Sequence, residues 1–164
     1  MKNYLHVEQK QYTSLKELLH QVARWHFLGK KIVFTNGAFD ILHRGHIRSL
    51  TQAAALGDIL IVGVNTDASV KISKGPQRPL NRVEDRGLLL ASLECVDAVI
   101  AFEQETPLNL IESIRPHVLV KGGDYTLEQI VGATQVMGWG GAVEIIPFET
   151  GYSTTGLIDK ITKL

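Results

Sequence analysis

The sequence predicts an α/β fold built on one doubly wound parallel sheet, and three observations lead to it. Five short apolar runs recur along the chain, amphipathic helical stretches separate them, and capping patterns mark where several of those helices begin. A strand that is apolar throughout is covered on both faces, and such strands run parallel through crossover helices.

Leu15, Leu18, Leu19, Val22 and Trp25 recur at helical spacing behind Ser14-Leu-Lys-Glu17, a capping box, so a first helix runs to about Gly29. It reads as an added N-terminal helix, residues 1–29, in front of a domain formed by residues 30–164. Residues 31–35 are the first buried strand, followed by a glycine-containing turn and a helix over residues 47–56. Residues 58–64 give the second strand, and Asn81-Arg-Val-Glu84 repeats the capping-box pattern ahead of a helix toward Leu93. The third strand covers residues 97–102. Thr106 caps a helix with Pro107 at its first position, and that helix ends near Ile114, before a fourth strand over residues 117–121. A helix over residues 126–137 and a fifth strand over residues 142–147 follow, and Ser153 caps a closing helix to about Lys163. The polar stretch 65–81, which holds Lys71, Lys74, Gly75, Pro76, Arg78 and Pro79, is longer than a connection needs and reads as a mobile binding loop.

Composition narrows the function classes. Lys plus Arg and Asp plus Glu each number 17 in 164 residues, so the formal net charge is zero. A broad basic face for nucleic acid is therefore not expected. The single cysteine, Cys95, excludes an intrachain disulfide and a multi-cysteine metal site, and its place in an apolar run predicts a buried thiol. No apolar run reaches the roughly 18 residues of a membrane span and the N-terminus is polar, so a cytoplasmic protein without membrane contact is expected.

Ligands of an open parallel sheet bind at the carboxyl ends of its strands. After the first strand comes Thr35-Asn-Gly-Ala-Phe-Asp-Ile-Leu-His-Arg-Gly-His46, after the second Asn65-Thr-Asp67, after the fourth Lys121-Gly-Gly-Asp124, and after the fifth Thr150-Gly-Tyr-Ser-Thr-Thr155. All four would line one crevice. His43 and His46, three apart at the start of a helix, place both imidazoles on one face of its first turn, where each can donate to a phosphate oxygen. Gly45 leaves room for backbone N–H groups to approach, and a helix N-terminus favours an anion. The pattern G-x-x-x-x-G-K-[ST] is absent, so this phosphate site is not a P-loop. Two histidines without a third soft ligand at supporting spacing make a poor zinc site.

The segment Gly37-Ala-Phe-Asp-Ile-Leu-His-Arg-Gly-His46 matches the G-x-F-D-x-x-H-x-G-H signature, and the chain thereby resembles the cytidylyltransferase-like nucleotidyltransferases, which have a Rossmann-like fold. Val64-Asn-Thr-Asp-Ala-Ser69, Lys74-Gly-Pro-Gln-Arg78-Pro-Leu-Asn81, Val120-Lys-Gly-Gly-Asp-Tyr125 and Ser153-Thr-Thr155 are similar to the adenylyltransferases that make ADP-heptose from heptose 1-phosphate. The resemblance covers the chain from about Lys30 onward. It implies transition-state stabilisation by His43 and His46, with Lys74 as a third catalytic cation. For the nucleotide it implies Asn36, Gly37, Phe39, Gly45, Lys121, Gly122, Asp124, Ser153, Thr154 and Thr155. For the phosphorylated substrate it implies Asp40, Asn65, Asp67, Arg78 and Arg86, with Asp40 and Asp67 contacting substrate hydroxyls or Mg²⁺; as single residues, Arg86 reads equally as a solvated helix residue and Asp67 as a helix cap. ATP with Mg²⁺, a sugar 1-phosphate, a homodimer and an upstream sugar kinase on a separate protein complete the expectation. The competing readings are a CTP-dependent enzyme acting on glycerol 3-phosphate or a similar alcohol phosphate, and a non-catalytic nucleotide-binding regulatory module. A class I tRNA-ligase fragment shares the H-x-G-H element, but this chain shows no anticodon-binding extension.

Overall fold

A computed structural model describes residues 4–147, 149 and 151–164. In chain order its elements are α1 (Tyr4–Glu8), β1 (Gln11–Tyr12), α2 (Leu15–Phe27), β2 (Ile32–Gly37), α3 (Arg44–Ala54), β3 (Ile59–Asn65), α4 (Asp67–Lys74), α5 (Val83–Ser92), β4 (Ala98–Phe102), α6 (Leu108–Ile114), β5 (Val118–Gly122), α7 (Ala133–Gly138), β6 (Ala142–Ile146) and α8 (Thr154–Ile161). The strands form one parallel sheet in the order β1-β4-β3-β2-β5-β6. From β2 the chain adds strands on one side and then crosses over to add β5 and β6 on the other, so the order of strand addition reverses between β2 and β5. That reversal opens a crevice at the carboxyl ends of those two strands.

Alternate residues of each strand feed opposite cores, as the pleat requires. Ile32, Phe34, Ile61 and Leu119 face α2, α6 and α7, which supply Leu18, Val22, Ile111, Ile114 and Val136. Val33, Leu60, Val62 and Val120 face α3 and α5, which supply Leu50, Ala53, Leu90 and Ala91. Both faces are dry, which is why the strands read as unbroken apolar runs.

The sheet has six strands where the sequence predicts five. The extra strand, β1, is two residues long and polar, and it exists through pairing of Gln11 with Val99 and Tyr12 with Ile100. No local pattern announces a strand of that kind. The stretch expected to be a loop, residues 65–81, contains α4, whose start Thr66 caps through Oγ1 to the Ser69 amide. Helix α3 begins three residues earlier than the periodicity suggests, with His43 as its cap. Asn81 does not cap α5, because Arg82 takes that position without a side-chain hydrogen bond and the Asn81 amide donates elsewhere. Pro107 is likewise the residue before α6 and not its first. The helix expected over residues 126–137 is broken into a 3₁₀ turn at Leu127–Gln129 and α7, with Gly132 between them at φ 87°. Cys95 is only partly buried. Among the described residues no helix is long and apolar enough to cross a membrane.

The N-terminal helix α2 is part of the core, since Leu18 is fully buried beneath it. Leu18→Ala should therefore lower global stability by about 2–5 kcal/mol, as for other large-to-small core substitutions. Urea unfolding measures this, and a change below 1 kcal/mol, roughly the scale of a surface substitution, would show α2 to be a loosely attached addition.

Candidate active site

Strands β2 and β5 deliver the first groups. Thr35 lies opposite Val120, the last pair between these two strands; beyond it Asn36–Gly37 stay paired with β3 and Lys121–Gly122 with β6, so β2 and β5 part from each other at the reversal point. Phe39 turns with φ 48° and folds its ring back over Gly37, where a Cβ would lie 3.1 Å from the ring. A larger residue there would have to push the ring outward by a few tenths of an ångström. A Cβ on Gly122 would lie 3.2 Å from Ser49 Oγ, so β5 ends against α3. Lys121 holds its ammonium 5.6 Å from the Tyr125 ring centre, and its burial pulls its pKa down.

The paired histidines sit where β2 passes into α3. His43 Nδ1 accepts a long hydrogen bond, 3.4 Å, from the His46 amide, which places the proton of a neutral His43 ring on Nε2. The two rings stack at 3.8 Å and 21°, and Phe39 closes the far side of His46 edge-on at 5.3 Å. Gly45 serves this stack as well as any ligand: a Cβ there would meet the His43 ring at 3.1 Å. Burial, and then the charges of His43 and Lys74, lower the His46 pKa to about 4 against the opposing pull of the Ile41 carbonyl. Burial lowers His43 too. At neutral pH the pair is thus uncharged, and a polyanion would favour its protonation.

Two buried polar clusters fix the loops around this pair. Asp40 is 2% exposed; its Oδ1 accepts from the Leu80 and Asn81 amides at 2.8 and 2.9 Å, its Oδ2 from Arg78 Nε at 2.7 Å, and its backbone carbonyl from Asn81 Nδ2 at 2.6 Å. Burial pushes the Asp40 pKa up, but the two amides and Arg78 outweigh it and hold the carboxyl below its ordinary range. Asp40 therefore anchors the 78–81 turn, a different place from the substrate contact that the resemblance implies. Arg86 is the second departure, being neither solvated nor open to a ligand. It is 0% exposed, and its guanidinium donates to the carbonyls of Asn81, Ala38 and Asn65 and to Asp67 Oδ1 at 2.7 Å.

Lys74 lies in the last turn of α4, so it stands on a helix and not on a free loop. Although the residue as a whole is exposed, partial desolvation of its ammonium end and the Arg78 charge lower its pKa, while Asp40 raises it. Asn65 Nδ2 donates to Ser69 Oγ at 3.0 Å. On the other flank Ser153 caps α8 by accepting from the Gly156 amide at 3.0 Å, and Thr154 Oγ1 donates to the Ile41 carbonyl at 3.4 Å. Asp124 and Thr155 are exposed, and Thr150 lies outside the described residues. Sequence reasoning missed Arg44, Arg48, Glu149 and Tyr152, which join α3 to this flank.

Among the described residues, three buried side-chain atoms lack a hydrogen-bond partner: His46 Nδ1, Arg78 Nη2 and Glu149 Oε2. Buried polar atoms are rarely left so, and two of these three belong to side chains expected to bind phosphate. Two cavities of about 340 and 350 Å³ lie elsewhere, at the amino ends of the strands around His117 and Asp97, and the expected phosphate ligands line neither.

The cytidylyltransferase-like family matches residues 34–159, most of the chain and every residue of this cluster. The chain belongs to that family. It is thereby a nucleotidyltransferase. Among curated relatives, the bifunctional protein HldE of Citrifermentans bemidjiense is 52% identical over 148 residues, and that of Trichlorobacter lovleyi is 54% identical over 133. These stretches cover 90% and 81% of this chain but 30% and 27% of those relatives, so the chain spans less than a third of their length. A lipopolysaccharide core biosynthesis protein from Thermoplasma volcanium is 28% identical, with a TM-score of 0.60 over 76% of this chain and all of that one. A pantoate-beta-alanine ligase from Francisella tularensis shares the fold at TM-score 0.62 and 16% identity, covering 94% of this chain and 78% of its own.

Two measurements follow from this geometry. Folded His46 stays neutral down to about pH 4, whereas the unfolded chain takes up that proton near pH 6.5. Unfolding then binds a proton between those values, so stability that is complete above pH 6.5 falls by about 3 kcal/mol as pH approaches 4. Urea unfolding at several pH values should show the slope, and His46→Gln should flatten it; an unchanged slope in the variant would refute the assignment. Arg86→Gln should cost about 3–5 kcal/mol, because Asp67 and three carbonyls lose their donors together. A variant of near-normal stability would argue instead for a ligand-binding role.

Proposed function

We propose that this chain transfers AMP from ATP to a heptose 1-phosphate and releases pyrophosphate, in the cytoplasm, as a step toward a cell-envelope glycan. The observation that supports the proposal is the stacked His43–His46 pair at the start of α3, with Thr154 at the start of α8 bonded to Ile41 and Arg78 Nη2 buried without a partner. Such a cluster of donors suits a polyphosphate. The choice of ATP and heptose rests on the similarity of residues 74–81 and 120–125 to ADP-heptose-forming enzymes, and it accords with the names of the relatives.

A phosphate monoester has its second pKa near about 6, so the attacking oxygen is already anionic at neutral pH. No general base is required. The protein has to bring two anions together in line and stabilise charge that shifts onto the α-phosphate and the leaving group. His43 and His46, fixed by capping and stacking on a helix start, address the α-phosphate. Lys74 and Arg78 hold the terminal phosphates or the sugar phosphate, and Ser153, Thr154 and Thr155 present hydroxyls and amides to the triphosphate. Asn36, Gly37, Phe39, Gly45, Lys121, Gly122 and Asp124 shape the nucleotide pocket, Asn65 and Asp67 border the acceptor, and Asp40 and Arg86 hold its walls. The described residues include no cluster of three or more His, Cys, Asp or Glu able to hold a metal. Mg²⁺ would accompany the triphosphate, and the chemistry it would supply is neutralisation of phosphate charge.

We take residues 30–164 as the unit that carries the chemistry, and we propose that it works as a homodimer. The expectation of a kinase on a separate protein loses its basis, because the relatives are named bifunctional and are more than three times as long as the stretch they share. A sugar kinase, fused or separate, is what the proposed substrate requires.

Pyrophosphate release across four nucleoside triphosphates and several phosphorylated acceptors tests the reading. Turnover with ATP and heptose 1-phosphate is expected; turnover only with CTP and glycerol 3-phosphate would replace it, and no turnover with any pair would favour a regulatory module. His46→Ala should lower kcat by about 10²–10³ with KM for ATP changed only several-fold, as for loss of one transition-state donor. Lys74→Ala should chiefly raise KM.

A further inference from the structure

Glu149 stands where the chain returns from β6 toward α8, and its side chain is 13% exposed. Oε1 pairs with Arg44 Nε at 3.2 Å and with Arg48 Nη1 at 3.5 Å, two arginines one turn apart on α3. Arg44 goes on to reach the Tyr152 hydroxyl at 3.4 Å and to lie over that ring at 5.4 Å. Tyr152 in turn covers Gly45, where an added Cβ would lie 3.4 Å from the Tyr152 Cβ. With the Thr154 hydroxyl on Ile41, the segment leading into α8 is thus tied at several points to the turn that carries His43 and His46.

A lone carboxylate beside a triphosphate site would repel the ligand. Here two guanidinium groups outweigh it, so the net local charge stays positive and the carboxylate is left to hold them in place. Stability is a poor account of the contact: the arginine side chains are 68% and 60% exposed, and Glu149 Oε2 is buried without a donor. We propose that Glu149 is a positioning residue for nucleotidyl transfer, which by bridging Arg44 and Arg48 holds the Ser153 end of α8 against the paired histidines so that both address one triphosphate.

The proposal rests on the nucleotidyltransferase reading of this site, and two separate readouts keep them distinguishable. Hydrogen exchange on the ligand-free protein should show amides 151–157 exchanging about tenfold faster in Glu149→Gln, with other segments unchanged. Steady-state kinetics should show KM for ATP raised roughly 5- to 20-fold with kcat within about threefold, and Glu149→Asp, which keeps the charge, should recover part of it. Arg44→Gln should raise KM similarly, and the double variant should be no worse than either single one to within about twofold, because the two act through one contact. Unchanged exchange, or faster exchange with wild-type KM, would overturn the proposal. Absence of any turnover in the wild-type protein would sink the functional reading and leave exchange to decide whether Glu149 holds the segment at all.

Discussion

Arg86 has no exposed surface, and a guanidinium so placed is always charged and must give its hydrogens to protein acceptors. It finds them on three different segments: the Ala38 carbonyl after β2, Asn65 and Asp67 between β3 and α4, and Asn81 before α5. The Ala38 and Asn81 segments lie outside the strands, and Asn65 and Asp67 sit where β3 hands over to α4. The buried charge converts three loose ends into one rigid rim. Asp40 extends that rim by holding the 78–81 turn, and through it Arg78, over the same crevice.

The rim is electrostatically asymmetric in a way that suits its proposed task. Three carboxylates on these loops are already committed, Asp40 to Arg78 and two amides, Asp67 to Arg86, and Glu149 to Arg44 and Arg48. Among the described residues Arg78 Nη2 and His46 Nδ1 are buried without a hydrogen-bond partner. The free Arg78 nitrogen is a donor that a polyanion could complete, and burial keeps both histidines neutral at neutral pH. Preorganisation of this kind places the cost in folding and spares the bound complex from reorganising.

The N-terminal segment joins the same body by a different route. Helix α2 seals one face of the sheet with Leu18 and Val22, β1 lengthens the edge beside β4, and Lys10 Nζ donates to the Leu93 and Val96 carbonyls beneath α5. None of these contacts involves His43, His46 or Arg78. Its contribution is to the rigidity of the sheet from which the site loops depart.

What the sequence by itself determined is whatever depends on neighbours along the chain. Apolar runs, crossover helices, the Ser14 and Ser153 caps and the glycine-histidine turn are local patterns, and they sufficed for the parallel sheet and for the placement of His43, Gly45 and His46. Tertiary structure decided what depends on partners far away in sequence. The two-residue strand β1 exists only because Val99 and Ile100 offer it an edge, and Asn81 abandons its capping pattern because Asp40, about 40 residues earlier, binds it more fully. Arg86 reads as an ordinary helix arginine until Asp67 and three carbonyls close around it, and Glu149 carries no signal at all without Arg44 and Arg48 beside it. A charge in water is nearly free to be anything, whereas a charge taken out of water must be met by specific partners, and those partners are chosen by the fold and not by the sequence next to it.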